Sequence, residues 1–105
     1  MYARVTLLEI DTMRVDVAEA VELFRAAVQP GLAALPGYEG STVLATPEGK
    51  GMILTYWATE ADVRSAASFA TDALERYVTL FTSPPGREQY EVVLADFPRA
   101  GALVA

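Results

Sequence analysis

The 105-residue chain contains no cysteine, no histidine and no asparagine. Without cysteine it forms no disulfide and offers no thiolate as a nucleophile or as a metal ligand. Without histidine it lacks the usual general base and the commonest protein ligand of zinc and of haem iron. A catalytic triad is therefore excluded unless Lys50, the single lysine, takes part from its place in a turn. We expect no metal site and no cofactor.

Positive charge is also scarce, since 8 Lys and Arg residues face 14 Asp and Glu residues and the formal net charge is −6. A protein that binds nucleic acid or an anionic membrane surface needs a basic face, so we expect neither partner. The sequence begins without a basic region followed by an apolar run, and no stretch is long enough to span a bilayer. We expect a cytoplasmic protein.

The composition favours one folded domain over residues 1–105. The hydrophobic fraction of 52% supplies a core, and the charged fraction of 21% is too low for a disordered chain. No linker, repeat or low-complexity segment divides the sequence.

The first half of the chain reads as a strand, a helical region and a hairpin. Residues 2–10 are rich in β-branched and large apolar residues. Asp16 and Glu19 form a capping box before a helix, and Pro30-Gly31 predicts a kink or a restart of that helix. Residues 38–46 and 52–57 are then predicted strands on either side of a turn at residues 47–51. The helix presents one apolar face, formed by Val17, Val21, Phe24 and Val28.

The second half reads as a helical region and a last strand. Thr59 is a predicted N-cap with Asp62 as its capping-box partner. The weak helix formers Ser65 and Ser68 predict two short helices that meet near Ser68. Residues 88–97 are the predicted fourth strand. The predicted helical stripe comprises Val63, Ala66, Ala70, Ala73, Leu74, Tyr77 and Phe81.

This order predicts an α+β fold, a ferredoxin-like βαββαβ domain with a four-stranded antiparallel sheet and both helical regions on one face. The strands are apolar on both faces, although a sheet face in water normally alternates to polar residues. A second copy of the same sheet is the simplest cover, so we expect a homodimer. The other interpretation is that loops fold over the apolar strand ends.

Three segments carry a resemblance to a known family. They are Pro30-Gly31-Leu32, Leu35-Pro36-Gly37-Tyr38 and, after the hairpin, Tyr56-Trp57-Ala58-Thr59-Glu60-Ala61. Together they resemble the antibiotic biosynthesis monooxygenase-like family over about residues 2–97. The resemblance implies the dimeric α/β-barrel form of the ferredoxin-like fold and a cofactor-independent monooxygenase acting on a small aromatic or polyketide-like phenol.

The sequence departs from that family in its polar residues. The haem-degrading branch relies on an asparagine, a tryptophan and a histidine, and of these the chain has a counterpart only in Trp57. The phenol-oxidising branch also uses an asparagine, which this chain lacks. The resemblance therefore assigns no catalytic residue, and we predict that the protein neither binds haem productively nor degrades it.

An apolar pocket with one cation would suit cofactor-free oxygenation, because a cation in a dry cavity stabilises a phenolate. Trp57 is predicted to border a cavity between the sheet and the second helical region, or else to be core or rim packing. Arg4, within a strand, is a candidate cation; its charge either reaches the sheet edge or, in the interpretation we prefer, meets a carboxylate across the dimer. Arg64 and Arg87 are further candidate cations. The candidate pocket residues are Trp57, Phe69, Tyr77, Phe81 and Arg4.

Ordinary structural roles remain open for the same residues. Tyr77 and Phe81 lie on the helical stripe, where core packing is the ordinary role, and Phe69 lies off it as an exposed residue or a lid. Tyr56 points to the opposite face from Trp57. Three functions remain: the oxygenase, a non-catalytic ligand-binding or regulatory barrel, and a fold relative with isomerase or cyclase activity.

Overall fold

The computed structural model describes residues 1–76, 80–81 and 86–96, with residues 74 and 87 described by their backbone alone. Within this part of the chain no helix has the length and apolarity to cross a membrane. The elements are β1 Tyr2–Glu9, α1 Val17–Leu23, a π-helical turn Phe24–Val28, α2 Gln29–Ala33, β2 Tyr38–Ala45, β3 Lys50–Trp57, α3 Glu60–Glu75 and β4 Gly86–Glu91.

The four strands form one antiparallel sheet in the order β2-β3-β1-β4. β1 is a central strand that pairs with β3 on one side and with β4 on the other. The β2–β3 hairpin turns at Gly49, whose φ of +98° suits glycine, and β3 begins at Lys50, two residues earlier than predicted. The predicted ferredoxin-like βαββαβ fold is confirmed.

At both predicted helix starts the N-cap side chain accepts a hydrogen bond from the backbone N–H three residues later. Asp16 Oδ1 accepts a hydrogen bond of 2.8 Å from the backbone N–H of Glu19. At α3, Thr59 Oγ1 accepts a bond of 3.1 Å from the N–H of Asp62 and donates one of 2.8 Å to Asp62 Oδ2. Each cap occupies an N–H group that has no partner within its own helix.

The first helical region changes its winding where the sequence predicts an interruption. The N–H of Gln29 donates to the carbonyl of Phe24, five residues back, which is the π-helical spacing. α2 then starts at Gln29, with Pro30 in its first turn, where the missing proline N–H is harmless. The π turn places Phe24 and Val28 in the core.

Two predictions about the second half are wrong. α3 is one continuous helix, because the buried stripe that includes Val63 and Ala66 outweighs the weak propensity of Ser65 and Ser68. The fourth strand spans Gly86–Glu91, since pairing with β1 ends where β1 begins at Tyr2, and residues 92–96 have no regular structure. The predicted strand end, Phe97, lies outside the described residues.

The two faces of the sheet differ in cover. One face lies under the helices, and its core cluster joins Trp57 and Ile53 to residues of the π turn and α3. The uncovered face, termed the open face below, is also apolar; its members Leu7, Leu44 and Tyr90 are each half exposed, at 50%. The register places Ala3, Val5, Leu7, Met52, Leu54, Tyr56, Leu44 and Tyr90 on it.

Candidate functional site

Three polar side chains are buried on the helix-covered face of the sheet. Arg4 is 6% exposed, Thr6 4% and Thr55 5%. Arg4 and Thr55 are directly paired across β1 and β3, and Thr6 is paired with Ile53, one row further along the same face. A polar patch thus lies in the middle of an otherwise apolar core.

Arg4 does not lie at the sheet edge, which is one of the two places predicted for it. β1 is flanked by β3 and β4, so Arg4 is away from the sheet edge, and its side chain lies on the covered face, opposite to the open face. Its Nη2 donates to Thr71 Oγ1 of α3 over 3.4 Å. A contact of Arg4 with a carboxylate across a dimer stays a prediction, and the periodicity of the strand directs the Arg4 side chain to the face under the helices.

Trp57 is fully buried at the end of β3, with 0% exposure. Its Nε1 donates a hydrogen bond of 2.9 Å to Thr55 Oγ1, two residues earlier on the same face. Its ring meets that of Tyr38 edge to face, with centroids 5.6 Å apart and planes at 76°. The Tyr38 hydroxyl lies 2.9 Å from Ser41 Oγ. Trp57 is therefore fixed both by packing and by a polar contact that leads to Thr55.

A small cavity lies beside these groups and is termed the seat below. Its volume is about 10 Å³, which is close to the least that holds one water molecule. The guanidinium of Arg4 is the charged group in its wall, and the hydroxyls of Thr6 and Thr55 are the other polar ones. The seat is lined by Arg4, Thr6, Phe24, Val28, Leu32, Ile53, Thr55 and Ala70.

A larger cavity of about 50 Å³ lies next to the seat, between the hairpin end of the sheet and α1. The two cavities share Phe24, Val28 and Ile53 as wall residues, so the π turn separates them. Ala45, at its rim, is exposed, which places its mouth at the end of β2. Its lining is apolar throughout and comprises Leu8, Ile10, Ala20, Val21, Leu23, Phe24, Val28, Val43, Leu44, Ala45, Ile53, Leu80 and Phe81.

The structure brings together some of the predicted pocket residues and separates others. Arg4 lines the seat and Phe81 the larger cavity. Phe69 lines neither; its ring packs on Gly31 of α2, where an added Cβ would lie 2.3 Å from the ring Cζ. Tyr77 lies outside the described residues. Trp57 lines neither cavity, but it donates a hydrogen bond to Thr55, which lines the seat.

The larger cavity lies under the first helical region, and the seat lies between that region and Ala70 of α3. The sequence predicts a cavity between the sheet and the second helical region. Ala66, Ala70 and Ala73 are buried against the sheet, so their small size brings α3 close to it, and Ala70 also lines the seat. Sequence reasoning missed Thr6, Thr55 and Phe24 as site residues. The alternation along β3 contains the signal for Thr55, because it shares a face with Trp57.

The shifted pKa values belong to groups outside both cavity linings. The carboxylate of Glu91 raises the pKa of Tyr2, whose hydroxyl donates to Glu91 Oε2 over 3.4 Å. A hydrogen bond from Arg25 lowers the pKa of Glu22, and a hydrogen bond with Asp16 raises that of Glu19. Among the described residues no group of three His, Cys, Asp or Glu could hold a metal ion. The site therefore offers one cation and hydroxyl groups as its polar chemistry.

Known proteins resemble this chain in structure but not detectably in sequence. No family model matches the chain, and no curated protein matches it significantly. Solved structures match over almost the full chain. The monooxygenase ActVA-Orf6 of Streptomyces coelicolor, solved with Nanaomycin D, is 21% identical over 93% of this chain and 92% of that one, with a TM-score of 0.70.

Two further structures represent two chemistries on this fold. A variant of SnoaB, a cofactor-independent oxygenase from Streptomyces nogalater, is 16% identical over 93% of this chain and 97% of its own, with a TM-score of 0.71. The heme-degrader MhuD from Mycobacterium tuberculosis, with two hemes in its active site, is 16% identical over 92% and 100%, with a TM-score of 0.67. The chain has the fold of the antibiotic biosynthesis monooxygenase structures.

Proposed function

We propose that this protein is a cofactor-independent monooxygenase that acts on a small aromatic or polyketide-like phenol. The observation that carries the proposal is the buried guanidinium of Arg4 in the wall of the seat, next to an apolar cavity. A buried cation interacts with an anion far more strongly than an exposed one. ActVA-Orf6 and SnoaB, a monooxygenase and a cofactor-independent oxygenase, have the same fold, which is compatible with this chemistry.

The phenol would bind with its oxygen in the seat and its ring system toward the apolar cavity. The seat has room for about one oxygen atom, and Arg4 and the two threonines line it. The residues that line the larger cavity offer no polar side chain to a substrate, so this cavity suits the hydrocarbon part. Together the cavities are too small for a polycyclic ring, and Phe24 in the wall between them must move to admit one.

The role of Arg4 is to stabilise the ionised phenol, which is the form that gives electrons to dioxygen. For a substrate with a methylene group, one oxygen atom replaces its two hydrogens as a carbonyl and the other leaves as water. All four electrons come from the substrate, so the reaction requires no external reductant. The protein binds the phenolate, orients it and excludes water.

A homodimer formed through the open face is part of the proposal. The half-exposed side chains of Leu7, Leu44 and Tyr90 form an apolar surface on the face without helices. In a two-fold symmetric dimer, the open face of one protomer covers the open face of the other. The dimer leaves the covered face, and with it the seat, within each protomer.

Dioxygen uptake by the purified protein tests the proposal. The protein is mixed with hydroxylated naphthalenes and anthrones in the presence of a metal chelator and without any added cofactor. We expect uptake of one dioxygen per phenol and formation of the corresponding quinone. Binding of these phenols without uptake above the uncatalysed rate would instead favour a non-catalytic ligand-binding barrel.

A further inference from the structure

The hydrogen bond from Trp57 to Thr55 restricts how the Thr55 hydroxyl can act. The indole N–H of a fully buried tryptophan needs an acceptor, and Thr55 Oγ1 at 2.9 Å supplies it. A hydroxyl has one hydrogen and two lone pairs, and this bond occupies one lone pair. The hydrogen of the Thr55 hydroxyl must therefore point away from the indole.

The surroundings of Thr55 decide what that hydrogen can meet. Arg4, its direct partner across the sheet, is a donor only and cannot accept it. Five of the eight side chains that line the seat are apolar. The remaining polar group of the lining is the Thr6 hydroxyl, and an ionised oxygen placed in the seat would be a stronger acceptor for the Thr55 hydrogen than a neutral hydroxyl.

We propose that Trp57 is a positioning residue whose N–H holds the Thr55 hydroxyl as a donor aimed into the seat. Thr55 and Arg4 then form a pair of donors that binds one oxyanion. The identity of that oxyanion as a phenolate rests on the proposed function. The pair selects ligands that present an ionised oxygen, and it disfavours an aromatic amine, which would bring further donors to the same place.

This assignment gives the buried tryptophan a role beyond packing. It also separates Thr55 from Thr6, which lines the same seat but has its place in the register next to Ile53, away from the indole. Arg4 is the charged side chain among the eight that line the seat, so a change in the pKa of a bound phenol reports on Arg4 and on the hydroxyl donors.

The test measures the ionisation of bound para-nitrophenol, whose ionised form absorbs at longer wavelength and which does not react with dioxygen. Parent protein, Trp57→Phe, Thr55→Val and the double variant are compared by absorbance titration against pH. Trp57→Phe keeps an aromatic ring and removes the N–H, and Thr55→Val keeps the side-chain shape and removes the hydroxyl. The matched control pair is Thr6→Val, alone and combined with Trp57→Phe.

We expect the parent protein to lower the pKa of the bound phenol below that of the free one. Thr55→Val should shift the ratio of ionised to neutral bound phenol about tenfold toward neutral, as expected for loss of one hydrogen bond to a charged group. Trp57→Phe should shift it in the same direction, and the double variant should be no worse than Thr55→Val alone. When Thr6→Val is combined with Trp57→Phe, the effects of these two substitutions on the ratio should multiply. Para-nitroaniline should bind at least tenfold more weakly than para-nitrophenol.

Three outcomes would overturn the inference. They are an unchanged bound-phenol pKa in both single variants, effects of Trp57→Phe and Thr55→Val that multiply, or failure of para-nitrophenol to bind the parent. The first two of these outcomes do not contradict the proposed oxygenase activity. Dioxygen uptake by the parent protein tests that activity separately. If Trp57→Phe does not fold, Thr55→Ser must restore what Thr55→Val loses, and the indole N–H of the single tryptophan must exchange faster in Thr55→Val than in Thr6→Val.

Discussion

Arg4 on β1 and Thr55 on β3 are directly paired across the sheet, and both side chains are buried beneath the helices. Burial of a charged side chain is costly unless the charge is paired or hydrogen-bonded. Here the charge lies in the wall of a cavity sized for one oxygen atom. This relationship makes the Arg4–Thr55 pair the centre of the proposed site.

The first prediction concerns the role of Arg4 in binding as distinct from folding. Arg4→Met keeps the length of the side chain and removes the charge, so binding of ionised para-nitrophenol should fall at least tenfold. The control is Arg64→Met, since Arg64 is exposed and paired with Glu60 on the outside of α3. Equal binding by Arg4→Met and Arg64→Met would show that the buried charge does not hold the ligand.

The second prediction concerns Trp57 as a core residue. Trp57→Ala removes a fully buried ring and should lower the free energy of unfolding by about 3–5 kcal/mol, measured by urea denaturation. Trp57→Phe should cost distinctly less, because a ring still fills most of the space. A loss below about 1 kcal/mol for Trp57→Ala would mean that the ring packs against empty space.

The third prediction concerns the open face. Leu7 and Leu44 both lie in register with Met52, so they occupy one row across this face. Leu7→Lys combined with Leu44→Lys should convert a dimer into a monomer of 11.3 kDa, measured by light scattering at micromolar concentration. Met13→Lys is the control, because Met13 is 94% exposed in a loop outside the sheet. A parent protein that is monomeric would contradict the account of the two-sided strands.

The fourth prediction concerns Phe24, whose side chain lies in the wall between the two cavities. Phe24→Ala should join the seat to the apolar cavity and increase the affinity for bulky phenols relative to single-ring ones. It should also lower the free energy of unfolding by about 3–5 kcal/mol, as other large core truncations do. Leu23→Ala widens the apolar cavity alone and should leave the preference for ring size unchanged. If the preference for ring size changes equally in both variants, Phe24 is not the residue that separates the two cavities.

The fifth prediction concerns haem, which MhuD binds on the same fold. The chain has no histidine, so iron would depend on the rarer Tyr or Met ligands. Titration with hemin should give no stoichiometric change in the Soret band and no degradation with a reductant. A tight complex that turns over would overturn this prediction.

The sequence predicted the fold well because its signals are local. Capping residues, the Pro30-Gly31 interruption and the apolar strands each mark an element by chemistry near in sequence. The continuity of α3 was missed because propensity at Ser68 is weak beside the burial of Val63 and Ala66. The end of β4 was missed because it is set by where its partner strand begins.

The site was harder to predict because it depends on packing between elements distant in sequence. Arg4 was identified as a candidate cation, yet its direction depends on which face the helices cover. Thr55 was missed because nothing in its neighbourhood separates a binding threonine from an ordinary strand residue. The seat lies between the first helical region and α3, and its position depends on how these elements pack on the sheet.

The most direct measurement of the central claim is the pH dependence of dioxygen uptake by the parent protein and by Arg4→Gln with one phenol. If the buried guanidinium holds the substrate ionised, the parent retains its rate when the pH is lowered well below the pKa of the free phenol. The rate of Arg4→Gln should already fall when the pH is lowered to about that pKa. Arg64→Gln should follow the parent. Profiles that coincide in the parent and Arg4→Gln would contradict the assignment of Arg4 as the group that stabilises the phenolate.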